Sequence, residues 1–198
     1  MLELAVLGQL HESPLHGYEL RQRLKATLGT FRAFSYGSLY PTLRRMKAAG
    51  WLCEDEGHAE VVTGAPPLTG RRGKVVYKLT AEGKERFGEL LAEAGPSSWE
   101  DETFGVHFAF FGQTEPAVRV RILEGRRSRL EERREGVRST LARTRSRLDR
   151  YTLQLQEHGL ESVEREVRWL TELIETERRA SPPPAVSPTT PPTERGAP

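Results

Sequence analysis

Ser35-Tyr-Gly-Ser-Leu-Tyr-Pro-Thr-Leu-Arg-Arg-Met-Lys-Ala-Ala-Gly50 places a helix start, a helix stop, an apolar stripe and a basic-aromatic stripe in one short stretch. At about 100° per residue, Leu39, Leu43 and Met46 fall within a narrow arc that can pack on a core. Tyr36, Tyr40, Arg44 and Lys47 lie along one flank of that arc, and Ser38, Thr42 and Arg45 along the other. Ser35 is suited to cap the N-terminus, and Gly50 to end the helix in the left-handed conformation. Pro41 removes an N–H and crowds the carbonyl of Gly37, so the first turn is expected to be bent or to start late. The stretch reads as the recognition helix of a DNA-binding domain.

Two helices are expected upstream. Residues 2–11 are apolar around most of a short helix and should be buried, with Glu12 to Leu15 as a connector. A second helix begins at His16-Gly-Tyr-Glu-Leu20 and carries Leu20, Leu24 and Leu28 at helical spacing, with Gly29 to close it. His16 is expected to be satisfied locally at that helix start. Three short helices with tight connections make the base of a helix-turn-helix unit.

Downstream, residues 51–56 and 74–80 read as two strands, the second alternating Val75, Tyr77 and Leu79 against Lys74, Val76 and Lys78. Cys53 follows Leu52 in the first strand and is expected to be a buried, inert thiol. Between the strands, residues 57–73 are rich in Gly and Pro and end on Arg71 and Arg72. A hairpin after a recognition helix is a wing, and its basic tip would meet phosphates or the minor groove. Thr80 can cap a fourth helix that buries Phe87, Leu90 and Leu91.

Taken in order, His16-Gly-Tyr-Glu-Leu20, Gly37-Ser-Leu-Tyr-Pro-Thr-Leu43, Gly50-Trp-Leu52 and Tyr77-Lys-Leu-Thr-Ala-Glu-Gly83 resemble the PadR family of bacterial winged helix-turn-helix regulators over residues 2 to about 91. The wing at 57–73 is longer and richer in Gly and Pro than the compact form that the resemblance implies. The resemblance further implies a repressor released from DNA by a small molecule or another signal.

Residues 95–112 change character, with Trp99 and then Phe104, Phe108, Phe110 and Phe111 around His107. Two readings of this hinge stay open. The rings pack the next helix against the winged domain, or Trp99, Phe104, His107, Phe108 and Phe111 line a small-molecule pocket of the aromatic kind.

From Glu115 to about Glu157 the chain is charged and helical, with apolar residues recurring every seven positions. One row is Leu123, Leu130, Val137 and Tyr151, and the other is Val120, Leu141, Leu148 and Leu155. Gly159 is expected to break this helix. Leu160, Val163, Val167, Leu170 and Ile174 then give an antiparallel second helix. Stripes this narrow hold little core alone, so Leu123, Leu130, Val137, Leu141, Leu148, Leu155, Val163, Val167, Leu170 and Ile174 are expected to form a homodimer interface. The arginines between 126 and 150 are interleaved with Glu124, Glu131, Glu132 and Glu135 and read as a solvated face paired between turns. Residues 181–198 are dominated by Pro, Ser and Thr and are expected to be disordered.

Composition narrows the function classes. A chain of 198 residues, 36% of them hydrophobic, can fill one or two small cores. The net charge of +2 is silent on nucleic acid, so that reading rests on where the cations lie. One cysteine excludes an internal disulfide and a four-cysteine zinc site. The five histidines lack metal spacing, and neither a phosphate-binding glycine loop nor a Gly-x-Ser-x-Gly elbow occurs. No enzyme, metal or cofactor is expected. No secretory signal and no apolar run of membrane-spanning length is present, so a cytoplasmic protein is expected, on the nucleoid when bound to DNA.

The sequence therefore predicts a mainly α protein with a small β-hairpin. Residues 1–94 are the winged helix-turn-helix domain, 95–112 an aromatic hinge, 113–180 a helical dimerisation domain and 181–198 a tail. The partner is a double-stranded DNA operator of near-palindromic sequence, met by Tyr18, Ser35, Tyr36, Ser38, Tyr40, Arg44, Arg45, Lys47, Arg71, Arg72 and Lys74. The alternative is a winged-helix and coiled-coil module whose partner is a protein.

Overall fold

The computed structural model describes residues 1–29, 36–55 and 75–180, the side chain of Tyr36 excepted. Ser35, Arg71, Arg72, Lys74, Phe31, Phe34, the wing tip and the Pro-rich tail lie outside the described residues.

Helix α1 (Leu2–Glu12) is buried from Leu4 through Leu10, as its all-round apolar sequence requires. Leu15–His16 is not merely a connector but a short strand, β1. Helix α2 (Gly17–Leu28) points Leu20, Leu24 and Leu28 into the same core. Gly29 ends it in ordinary right-handed geometry, φ −60°, not the left-handed form.

The organising helix α3 is shorter than the sequence suggests. Residues Tyr36–Ser38 form a 3-10 turn and α3 proper runs Leu39–Ala48. Pro41 is thereby the third helical residue, where a missing N–H costs no intrahelical bond. The late start expected of this proline is what the chain adopts. The other end closes as a Schellman motif. Trp51 N–H donates to the Met46 carbonyl at 3.0 Å and Gly50 N–H to that of Lys47 at 3.0 Å, with Gly50 at φ +78°.

Strands β2 (Leu52–Asp55) and β3 (Val76–Leu79) pair antiparallel with Glu54 opposite Tyr77. Strand β1 adds to the other side of β3, Leu15 opposite Tyr77, giving the order β1-β3-β2. Cys53 is exposed rather than buried, because Leu52 takes the inward place and the pleat turns the next residue out.

Helix α4 (Ala81–Ala92) starts on Thr80, whose hydroxyl accepts from Gly83 N–H at 3.0 Å and donates to the Gly50 carbonyl at 2.7 Å. Thr80 N–H also donates to the Trp51 carbonyl at 3.1 Å, and a β-carbon on Gly83 would lie 2.1 Å from that oxygen. One junction thus explains why Gly50-Trp51 and Thr80 to Gly83 read together as a motif. Phe87 and Leu91 are buried and Leu90 partly so.

The segment after α4 contains a 3-10 turn at Pro96–Ser98, helix α5 (Phe104–Ala109) and a 3-10 turn at Phe111–Gln113. Two cores meet on α5. Val106 and Phe110 join the winged-domain core, while Phe104 and Phe111, with Phe108 against them, join the core of the arm. The packing reading of the aromatic cluster is therefore realised.

The arm is a hairpin of α6 (Pro116–Thr144) and α7 (Arg150–Ala180). The break lies at 145–149 and not at Gly159, which sits inside α7 with open space where a β-carbon would stand. Asp149 decides this, since its Oδ1 accepts from the N–H groups of Tyr151 at 2.9 Å and Thr152 at 3.1 Å. A single glycine costs a helix only about 1 kcal/mol, too little to outweigh a capped turn nearby.

The apolar rows need a further correction. Leu123 and Leu130 of α6 and Val163, Val167, Leu170 and Ile174 of α7 are buried against one another within a single chain, together with Ile122. Those side chains are already covered and are not a free interface. Val137, Leu141 and Leu148 are half-buried, whereas Tyr151 (79% exposed) and Leu155 (67%) stand in solvent. The arginines pair mainly across the hairpin rather than along α6. Arg119 meets Glu177 at 3.2 Å, Arg145 meets Glu157 at 3.0 Å, and Arg138–Glu164 and Glu124–Arg178 complete an antiparallel ladder.

Candidate nucleic-acid interface

Helix α3 sorts its residues by face. Leu39, Leu43 and Met46 are buried, Thr42 with them, and Ser38, Tyr40, Arg44, Arg45 and Lys47 are exposed. Among the described residues, Arg44 and Arg45 have no ion-pair or hydrogen-bonding partner. Lys47 does, since its ammonium is bonded to the carboxylate of Glu54 on β2.

Tyr40 is packed on one side and exposed on the other. Its ring leans on α2 where Gly17 has no side chain, a β-carbon there meeting Tyr40 Cε1 and Tyr77 Cε2 at 3.4 Å each. Half of the residue still reaches solvent. Gly17 therefore lets two tyrosines from α3 and β3 converge beside the N-terminus of α2. Burial raises the Tyr77 hydroxyl above the ordinary tyrosine value, and the charge of Glu54 raises it further, so it stays a donor. Tyr18, equally exposed, accepts from Gln22 Nε2 at 2.8 Å.

Sequence reasoning missed Glu54, Tyr77 and the pair Lys78–Asp55, which closes at 2.6 Å. The available signal was the opposite charge of Glu54-Asp55 and Lys78 on neighbouring strands. His16 is also not satisfied locally, because its Nδ1 is buried without a partner among the described residues.

The residues expected to bind an effector are only partly brought together. Phe108 packs on Phe104 at 5.7 Å, on Phe111 at 4.9 Å and on Trp169 of α7 at 5.3 Å between ring centroids. His107 is buried but makes no ring contact with this cluster among the described residues, and its Nε2 has no partner among them. Trp99 lies apart and covers Gly125, whose β-carbon would fall 2.5 Å from the indole. Between the two, Arg126 is almost wholly buried. It donates to the Trp99 carbonyl at 3.1 Å, to Asp101 at 2.5 Å and to Glu166 at 2.9 Å, with its guanidinium 5.3 Å from the Phe104 ring centre. No group of three or more His, Cys, Asp or Glu is placed to hold a metal among the described residues, and no helix among them is long and apolar enough to cross a membrane.

Three helices, a three-stranded sheet and an outward cationic face on the third helix define a winged helix-turn-helix domain. Residues 6–89 match the model of the transcriptional regulator PadR-like family. The match is to regulators of transcription, not to enzymes. The negative transcriptional regulator PadR of Bacillus subtilis (strain 168) is 29% identical over 97 residues, which is 48% of each chain. The chain thus spans about half the length of that curated relative. Among solved structures, Bacillus subtilis PadR in complex with operator DNA superposes with a TM-score of 0.40 at 18% identity, covering 89% of this chain and 98% of that one. The PadR-like transcriptional regulator BC1756 from Bacillus cereus gives 0.40 at 21%, covering 91% and 100%.

Proposed function

We propose that this protein is a dimeric transcriptional repressor that sets one copy of α3 in each of two successive major grooves of a near-palindromic operator. The observation that carries the reading is the division of α3 into a buried face of Leu39, Leu43 and Met46 and an exposed face with Arg44 and Arg45 unpaired among the described residues. Tyr36, Ser38 and Tyr40 stand at the front of the helix, where such helices read base edges. Ser35 and the exposed Tyr18 join the contacts to DNA, and Arg71, Arg72 and Lys74 hold the phosphate backbone from the wing. The second copy docks on the outer end of the arm, where Val137, Leu141, Leu148 and Leu155 leave apolar surface uncovered. Release follows from a small molecule that inserts among Phe104, His107, Phe108 and Phe111 and changes the angle between arm and winged domain, with Trp99 reporting the change.

A titration on the duplex upstream of the protein's own gene tests this. Arg44→Ala and Arg45→Ala should each weaken binding by about tenfold, a base contact being worth roughly 1–3 kcal/mol. A variant that loses a phosphate contact should also flatten the salt dependence by a slope of about one. Equal binding by all forms, independent of salt, sinks the assignment.

A further inference from the structure

The outward face of α3 carries a built-in competitor. Lys47 is bonded to Glu54 Oε2, a carboxylate that reaches across from β2 and is itself only a quarter exposed. Glu54 stands opposite Tyr77 in the sheet register, so the strand pairing fixes where it points. Neighbouring Arg44 and Arg45 have no such partner among the described residues.

A carboxylate and a phosphate oxygen are both anionic acceptors for an ammonium group, and one Nζ cannot approach DNA closely while Glu54 stays beside it unneutralised. We infer that Glu54 sets the affinity of this interface by acting as an internal substitute for phosphate, which Lys47 must release before it contacts DNA. The inference rests on the DNA-binding reading of α3 and adds a residue whose removal strengthens binding. While the pair is closed, it presents no net charge to the polyanion. Non-specific binding is almost entirely electrostatic, so masking one cation keeps the protein from being held along unrelated DNA.

The test uses the full chain and the tightest duplex recovered by selecting random-sequence DNA on it. Binding is followed by fluorescence anisotropy between about 50 and 200 mM salt. Glu54→Gln keeps the shape of the side chain and removes its charge. Exposed ion pairs are weak, so it should tighten binding roughly two- to fivefold per half-site at low salt. It should also steepen the salt dependence by a slope of about 0.9, because one more unmasked cation displaces counterions. In a Lys47→Gln background the same change should have no effect. Weaker or unchanged binding by Glu54→Gln overturns the inference. So does an equal gain in the Lys47→Gln background, which would make Glu54 a bulk repulsive charge. If the wild-type chain enriches no duplex and ignores salt, the DNA-binding reading itself fails; wild-type binding that Glu54→Gln leaves untouched removes only the competitor.

Discussion

The edge of the Phe110 ring fills the space that a side chain on Gly8 would need, with Phe110 Cε1 at 2.2 Å from the position of a β-carbon there. Phe110 is buried, T-shaped against Phe87, and has nowhere to retreat. Gly8→Ala should therefore lower stability by about 1–3 kcal/mol, although alanine is the better helix former. Gly83→Ala should cost at least as much, because the obstacle is the backbone carbonyl of Trp51. Chemical denaturation midpoints check both, and a neutral result at either would show that the helices have room to separate.

Gly159→Ala and Asp149→Ala should move stability in opposite directions. Gly159 lies in the middle of α7 with open space around it, so alanine should stabilise by about 0.5–1 kcal/mol. Asp149 caps α7, and its carboxyl is held below the ordinary range by the Thr152 hydroxyl and the N–H groups of Thr152 and Tyr151. Its loss should lower stability, as removal of an N-cap does. Thermal unfolding of the two variants beside the parent decides the matter.

Arg126→Met should destabilise by about 2–3 kcal/mol, because it leaves the carboxylates of Asp101 and Glu166 without their guanidinium. The value lies at the lower end for a buried pair, since Asp101 is half exposed and water can take up its charge. Burial pushes the Asp101 carboxyl up, but the hydrogen bond and charge of Arg126, with Arg133 and Arg129, outweigh that and leave it lowered. Trp99 emission should shift in the same variant, because its carbonyl loses the Arg126 donor. Unaltered emission together with unaltered stability would mean that the connector is held by its rings alone.

Acid should weaken the fold through His107. Burial, with a further push from the N-terminal ammonium, lowers its pKa from 6.5 to about 4. The unfolded chain then holds more protons than the folded one between those values, so stability is full above about pH 6.5 and falls as the pH drops toward 4. Between about pH 7 and pH 5 the loss should be on the order of 2 kcal/mol. His107→Leu should flatten that part of the curve, as urea midpoints at the two pH values would reveal. Asp101 acts in a lower window, its contribution being lost as pH falls through and below the ordinary carboxylate range.

Legibility in the sequence followed how local each interaction is. Leu39, Leu43 and Met46, the Thr80 cap and the Gly50 stop depend on neighbours within a turn, and each could be read from spacing. The start of α3 was blurred because Pro41 is tolerated anywhere in a first turn. Leu15–His16 was missed as a strand because two residues carry no period, and only Tyr77 and Val76 across the sheet define it. The arm was misdivided at Gly159 because a glycine looks like a stop until Asp149 is seen to cap. Its heptads were assigned to a partner because periodicity reports that a face is covered without naming what covers it. At the candidate site, the cationic flank was legible, but Glu54 was not, since its contact with Lys47 arises from the turn that brings β2 back beside α3.

Helix α5 is six residues long, and two separate cores have claimed opposite sides of it. Turning it about its axis to suit one set of rings would pull the other set out, so it behaves as a keyed shaft rather than a swivel. Any tilt of the arm must then be delivered to α1 and α2 as a whole-body rotation, with little lost as slack along the way. A displacement of a few ångströms at the far end of the hairpin would reach the exposed face of α3 as a change of aim.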